Sequence, residues 1–408
     1  MFHHRVCAGL FVLVLGLPSA TIAQDFDSGS TGADGALTFA ANAGTIDFDP
    51  TTYTPRLDPE VDNVYHFTSI TIPAGTTVRL SARTLPEGRP VHWLASGAVT
   101  IAGTLDLAGE NGHNFNATVR PSIPGAGGYS GGIATQAPTR GNGPGGGDAA
   151  LSSHGGPAGH RFNGQSGEGL GGSAYGNDFL LPLLGGSGGG GGWGTFSGGA
   201  GAGGGAIVVA SSTSIRVLGQ ILAAGGSAGA GRTFQDRVSG AGSGGAIRLI
   251  APRIEGTGTL NVAGGSGNGA ASHGRIRLEA FRNTSTFSIV PPTGLVTPAA
   301  PGAVFLPPSA PAIKVVRVAG QAVAMSPTGS FDTPDVVVDS ATAVTVEIEA
   351  RHVPLGTVLN LTFQPETGAP FTATATPLAG TVEQSTATAQ VVFPHGPTRM
   401  FVKATWNP

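Results

Sequence analysis

Cysteine is almost missing from this chain. Its 408 residues hold one, Cys7, near the N-terminus. A chain processed beyond that point has no disulfide and no thiolate metal site or nucleophile. Its stability must come from a core, from repetition or from backbone hydrogen bonds. Charge is scarce too: only 11% of residues are charged, and lysine occurs only at Lys314 and Lys403. No basic patch can be assembled, which argues against nucleic acid or an anionic membrane as partner. Long apolar runs are missing as well. The longest, roughly Ala8 to Leu17, is about half of the ~20 residues that span a bilayer.

That short run follows Arg5 and two histidines and leads to Pro18 and small residues up to Ala23. Positive charge, a short apolar stretch and small residues together make a secretory signal peptide, residues 1–23. Cys7 precedes the apolar run, which is the wrong place for a lipid-attachment cysteine. The mature chain is expected to be soluble and exported, to the periplasm, the cell surface or the medium. Loss of Arg5 leaves 20 basic against 24 acidic residues, a net charge of −4. An apolar content of 40% excludes wholesale disorder.

What is abundant is glycine, 69 residues in all. Three segments share one plan: "VHWLASGAVTIAGTLDLAG" from Val91, "AIVVASSTSIRVLGQILAAG" from Ala206 and "AIRLIAPRIEGTGTLNVAG" from Ala246. A partial copy, "GRIRLEAF", begins at Gly274. Each has short alternating strands around a glycine (Gly103, Gly219, Gly258), the pattern of a β-solenoid over residues 65–290 whose rungs bury their inward residues by stacking. A plain β-sandwich is the alternative. Gly258 follows Gly219 by 39 residues, but Gly219 follows Gly103 by 116. The surplus matches residues 125–205, 33 of them glycine, which therefore read as an insertion between two rungs. Packed side by side, glycine strands can bond laterally through their backbones. Tyr129, Phe162, Tyr175, Phe179, Trp193 and Phe196 are then expected to seat the insertion on the solenoid. A flexible tether is the competing reading.

Residues 24–64 read as a turn-rich leader or cap. "DFDSGSTGADG" from Asp25 has closely spaced aspartates but lacks the spacing and closing glutamate of an EF-hand. The proline-rich run 291–312 reads as a stiff spacer. Beyond it, "IKVVRV", "VTVEIEA", "TVLNLTF" and "ATAQVVF" alternate at sandwich length, predicting an immunoglobulin-like β-sandwich over 313–408.

Catalytic motifs are hard to find. Gly-x-Ser-x-Gly occurs three times, but no helical period follows any of them, as a nucleophile elbow requires. There is no P-loop lysine. His113, His154 and His160 fit no zinc spacing. Asp106, Glu110 and His113 are the nearest approach to an acid–base group on a polysaccharide-cleaving solenoid. Nothing in the sequence implies a cofactor or a metal.

The strands "VTIAGTLDLAG" and "AIRLIAP", combined with poly-Gly inserts, resemble Gly-rich exported bacterial surface proteins. The insertion is similar in composition to the polyglycine-II sandwich of phage tail-tip adhesins, where loops at the ends of glycine strands recognise the host surface. These resemblances imply an all-β, non-enzymatic surface protein of structural or adhesive type, binding glycans or extracellular-matrix components. Trp193, Phe196 and Tyr175 are the candidate ligand residues, since a flat aromatic face stacks on a sugar ring without charge. A polysaccharide lyase or hydrolase and a purely structural, self-associating module are the alternatives. Arg140 and Arg161 are the only basic residues between 125 and 205. An ordered insertion should resist trypsin at both as well as Arg216 and Arg248 do, whereas rapid cleavage at both would show a tether.

Overall fold

Strand-forming residues recur along the chain in runs too short to bury themselves, so they must stack on one another. The computed structural model describes residues 25–150, 154–232, 239–292, 296–306, 310–324, 334–365 and 369–404. The expected signal peptide 1–23 lies outside these. No α-helix occurs among the described residues.

The chain opens with β1 (Gly35–Thr38) and β2 (Gly44–Asp47) and continues through the long β3 (Val64–Ile72) and β4 (Thr76–Arg79). The next turn holds β5 (Val91–Ala95), β6 (Val99–Ile101) and β7 (Thr104–Asp106). After a long excursion come β8 (Ala206–Ser211), β9 (Ser214–Val217) and β10 (Gln220–Leu222), then β11 (Ala246–Ile250), β12 (Arg253–Glu255) and β13 (Thr259–Asn261). A small hairpin, β14 (Ser266–Gly267) and β15 (Gly269–Ala270), precedes β16 (Arg275–Glu279), β17 (Arg282–Asn283), β18 (Ser288–Val290) and β19 (Val296–Ala299). Each turn lays its strands parallel on the one before, giving a curled 11-stranded sheet and a six-stranded sheet. The large sheet turns a corner at β3, whose first half pairs with β5 and second half with β6.

Register is what makes the core. Ile46, Val78, Leu105, Ile221, Leu260 and Ile289 form one ladder through six strands. Tyr65, Trp93, Val209, Leu249 and Leu278 form another, and Leu37, Ile70, Val99, Ile215 and Ile254 a third. Apart from Ile46, and with Ile289 partly buried at the edge, these residues meet in one buried cluster. A one-residue slip would turn each set outward. By that criterion Val91 pairs with Ile207 rather than with Ala206, one residue away from the alignment of the segment starts. Phe48, Tyr65, Phe67 and Trp93 fill the first turns edge to face, with aliphatic residues beyond.

The glycine-rich excursion is not separate from these turns. Residues 107–115, 223–232 and 262–268 leave β7, β10 and β13 as successive outward arms; 197–205, 239–245 and 271–274 return to β8, β11 and β16. Gly109, Gly112 and Phe115 donate to the carbonyls of Ala224, Ser227 and Ala230, every third residue. Along the return arm the rotation is complete. Gly199, Ala202 and Gly205 donate to His113, Glu110 and Leu107; Ala200 and Gly203 to Gly132 and Tyr129; Gly201 and Gly204 to Gly240 and Ser243. These bonds are 2.7 to 3.1 Å long. Three residues per turn, each bonded to a different neighbour, is the symmetry of an extended three-fold helix packed laterally. A side chain would prevent it: a Cβ on Gly203 would collide with the Gly186 carbonyl, and one on Gly201 with that of Gly226.

Within the proline-rich run, residues 296–306 do not stand off as a spacer. β19 lies along β16, with Pro298 opposite Leu278 on the edge strand, where its missing N–H breaks no ladder. Val304 and Leu306 then pack over Leu94, Val208 and Ile250 on the outer face.

The remaining strands are β20 (Ala312–Val318), β21 (Gln321–Ala322), β22 (Val344–Arg351), β23 (Val358–Pro365), β24 (Phe371–Pro377), β25 (Ala379–Gly380), β26 (Ser385–Val391) and β27 (Thr398–Ala404). They form antiparallel sheets of five and three strands over one core containing Val346, Ile348, Leu361 and Phe363. Arg399 of β27 reaches Asp148 in the glycine array at 2.6 Å, and Arg140 reaches the same carboxylate at 2.8 Å.

Because the array excludes side chains, Gly203→Ala is expected to lower the stability to urea by more than ~3 kcal/mol or to prevent folding. Gly320→Ala, at φ +77° in open space, should cost only ~1–2 kcal/mol. Comparable small losses at both would remove the close-packing argument.

Candidate functional site

The glycine arms carry almost no side chains, so aromatic and charged groups collect where the arms turn. At their outer ends several turns are joined. Phe115 donates to Ala230, Gly194 to Thr135 and Arg232 to Phe196, all through the backbone. The Arg232 guanidinium lies 3.6 Å over the Phe196 ring, which is 45% exposed. That cation–π contact occupies one ring face and fixes the ring. Trp193 is half-buried on the same turn, its carbonyl accepting from the Ser197 hydroxyl at 3.1 Å. Trp193 and Phe196 thus share one outer loop.

Tyr175, the third candidate ligand residue, is not with them and takes the packing role also expected of it. It is buried in the array, its hydroxyl donating to the Gly185 carbonyl at 2.5 Å and accepting from Ser187 at 2.9 Å. Its ring stacks on His160 at 4.6 Å between centroids. A ring held this way packs the array and meets no ligand. A reversal does affect Phe162 and Phe179, expected as packing residues. They are 56% and 61% exposed, beside Arg161 and Arg277. Composition could not separate these cases, because exposure here depends on which arm neighbours which.

The carboxylates of the acid–base alternative are already occupied. Asp106 accepts from Arg79 at 3.4 Å and from the Ala108 N–H at 2.9 Å. Glu110 is held between Arg83 and Arg120 and accepts from the Ile123 N–H. Burial alone would raise the Glu110 carboxyl, but these hydrogen bonds outweigh it and hold it below the usual carboxylate range. His113 turns its Nδ1 to the Asn114 carbonyl and packs its ring against Gly199.

At the other end, Asp34, Asp58, Glu60, Asp62 and His66 line a surface cavity near β3. Their carboxylates serve the backbone: Asp58 accepts from the N–H groups of Asp62 and Asn63, and Asp34 from that of His66. Asp27 of the N-terminal aspartate run likewise accepts from Gly29. Among the described residues no group of three or more metal-type ligands converges.

Two imidazoles are deeply buried. Burial, helped by the charge of Arg275, pushes the His160 ring down to about 3; burial and Arg248 push His92 down to about 4. His154, by contrast, pairs with Glu168 at 2.7 Å. With this geometry in view, comparison with protein-family models, curated proteins and solved structures finds no match.

Because His92 and His160 are neutral in the fold, the unfolded chain takes up their protons first as pH falls. Their contribution is complete above the unfolded value of ~6.5 and should be lost progressively toward the folded values of about 4 and 3. Urea unfolding between pH 7.5 and 4 should show that decline, and His92→Gln with His160→Gln should make it shallower. A flat wild-type profile would mean that neither ring is held neutral.

Proposed function

We propose that this chain is an exported cell-surface or extracellular protein of structural and adhesive type. In this reading the parallel turns are a β-solenoid, the glycine arms form a polyglycine-II array, and the C-terminal sheets are an immunoglobulin-like sandwich. The array acts as a stiff mount, and its outer loops meet a glycan or an extracellular-matrix polymer. What carries the reading is the three-way rotation of backbone bonds along 199–205, which makes a glycine-rich segment rigid without side chains. Rigidity matters because a loop on a stiff support loses less entropy when it binds. Trp193 and Phe196 are the contact residues: both sit on one outer turn, and Arg232 steadies the Phe196 ring.

Hydrolytic or eliminative cleavage at Asp106 and Glu110 is disfavoured, because each carboxylate already answers an arginine and an N–H. The test is retention of the purified protein on immobilised neutral and acidic glycans and matrix proteins. Wild type should be retained by at least one of them. Trp193→Ala and Phe196→Ala should lose that retention while keeping the wild-type melting temperature. Unchanged retention in both variants would sink the outer-loop assignment, and folding loss alone would make both residues structural.

A further inference from the structure

A second surface, on the flank of the array rather than at its outer ends, has a more definite chemistry. Phe162 and Phe179 are the most exposed aromatic residues among those described, at 56% and 61%. Neither hangs on a loose loop. The Phe162 N–H donates to the Ser272 hydroxyl at 2.9 Å, and the Arg161 N–H to the His273 carbonyl. Phe179 follows an Asn177 turn and lies against Arg277, 5.3 Å from the guanidinium carbon to the ring centre. Ser272 and Arg277 lie five residues apart on the segment leading into β16, so the points that anchor the two rings are ~16 Å apart at ~3.3 Å per residue.

Between them lie three arginines and one exposed carboxylate. Arg275 donates from Nε to Asp178 at 3.1 Å, and Arg277 donates to the Asp178 carbonyl. Arg161 stands close enough for its charge to oppose that of Arg275, and no carboxylate pairs with it among the described residues. Arg275 is only 7% exposed, and its Nη1 is buried with no hydrogen-bond partner. Arg275 therefore adds fixed positive charge beneath the strip without meeting solvent itself. The other nearby acid, Glu279, is already neutralised by Arg248 and Arg277. The strip is therefore locally cationic on a protein whose net charge is −3.

We propose that this strip, running from Phe162 past Arg275 and Asp178 to Phe179, binds an acidic polysaccharide. Sugar rings lie on the two phenylalanine faces, their carboxylates face Arg161, with the charge of buried Arg275 behind it, and Asp178 accepts from ring hydroxyls. The spacing suits several linked sugars and not adjacent stacked bases, which need neighbouring platforms. The ligand class rests on the glycan-facing role proposed above, but the site is separate from Trp193 and Phe196.

Titration calorimetry of the full mature chain with polygalacturonate and with its methyl ester tests this. Polygalacturonate should bind, and the ester at least about ten-fold more weakly, because the carboxylates are masked. Phe162→Ala and Phe179→Ala, both at exposed positions, should each weaken binding about ten-fold at an unchanged melting temperature. Arg161→Gln should reduce its salt dependence. Equal binding of ester and acid, equal binding of poly(dT), or no effect of all three flank variants would overturn the strip. Were wild type to ignore polygalacturonate yet hold another glycan through Trp193, the strip would fall and the outer-loop reading would stand.

Discussion

The structure depends on how closely two backbones can approach when neither carries a side chain. In the glycine arms a carbonyl oxygen of one strand occupies the space where a neighbour's Cβ would be, as at Gly201 and Gly203. That contact allows each N–H to find a carbonyl on a different strand in rotation. A single hydrogen bond of this kind adds only ~0.5–1.5 kcal/mol net, and glycine loses the most conformational freedom on ordering. The array is therefore ordered through the summed bonding of its backbone groups, which is complete along 199–205.

The parallel turns supply what the glycines lack. Strands on successive turns are separated by the ~4.8 Å of a hydrogen-bonded ladder. Arms leaving β7, β10 and β13 are thus already at bonding distance from one another, and the period-three contacts from Gly109 to Ala224 and from Gly225 to Ala263 continue that spacing. The hydrophobic ladders of the coil fix the register, and the arms inherit it. The carboxylate of Asp148, shared by Arg140 and Arg399, ties the C-terminal sheets to the same array.

Side-chain chemistry is consequently pushed to the borders. Inside the array, Tyr175 and His160 stack and satisfy backbone carbonyls, and their ionised forms are suppressed by burial. At the outer turns and along the flank, Phe196, Phe162 and Phe179 each meet an arginine and remain open to solvent. In a chain with so few charges, these arginine–phenylalanine pairs form the distinctive surface.

The sequence by itself determined the all-β class, because alternation at segments such as Thr104–Asp106 and repeated glycines at Gly103, Gly219 and Gly258 leave no helical period. It also made clear that the long glycine stretch sits between two similar units, since its ends continue into matching strands. The tertiary structure alone decided that residues 107–115, 223–232 and 262–268 share in the array, because lateral bonding links residues more than a hundred positions apart. It alone decided that residues 296–306 of the proline-rich run lie against the coil, since Pro298 can occupy an edge strand. And it alone decided that Tyr175 packs while Phe179 stays exposed: whether an aromatic ring is packing or surface depends on which neighbouring strand covers it, and local sequence carries no record of that neighbour.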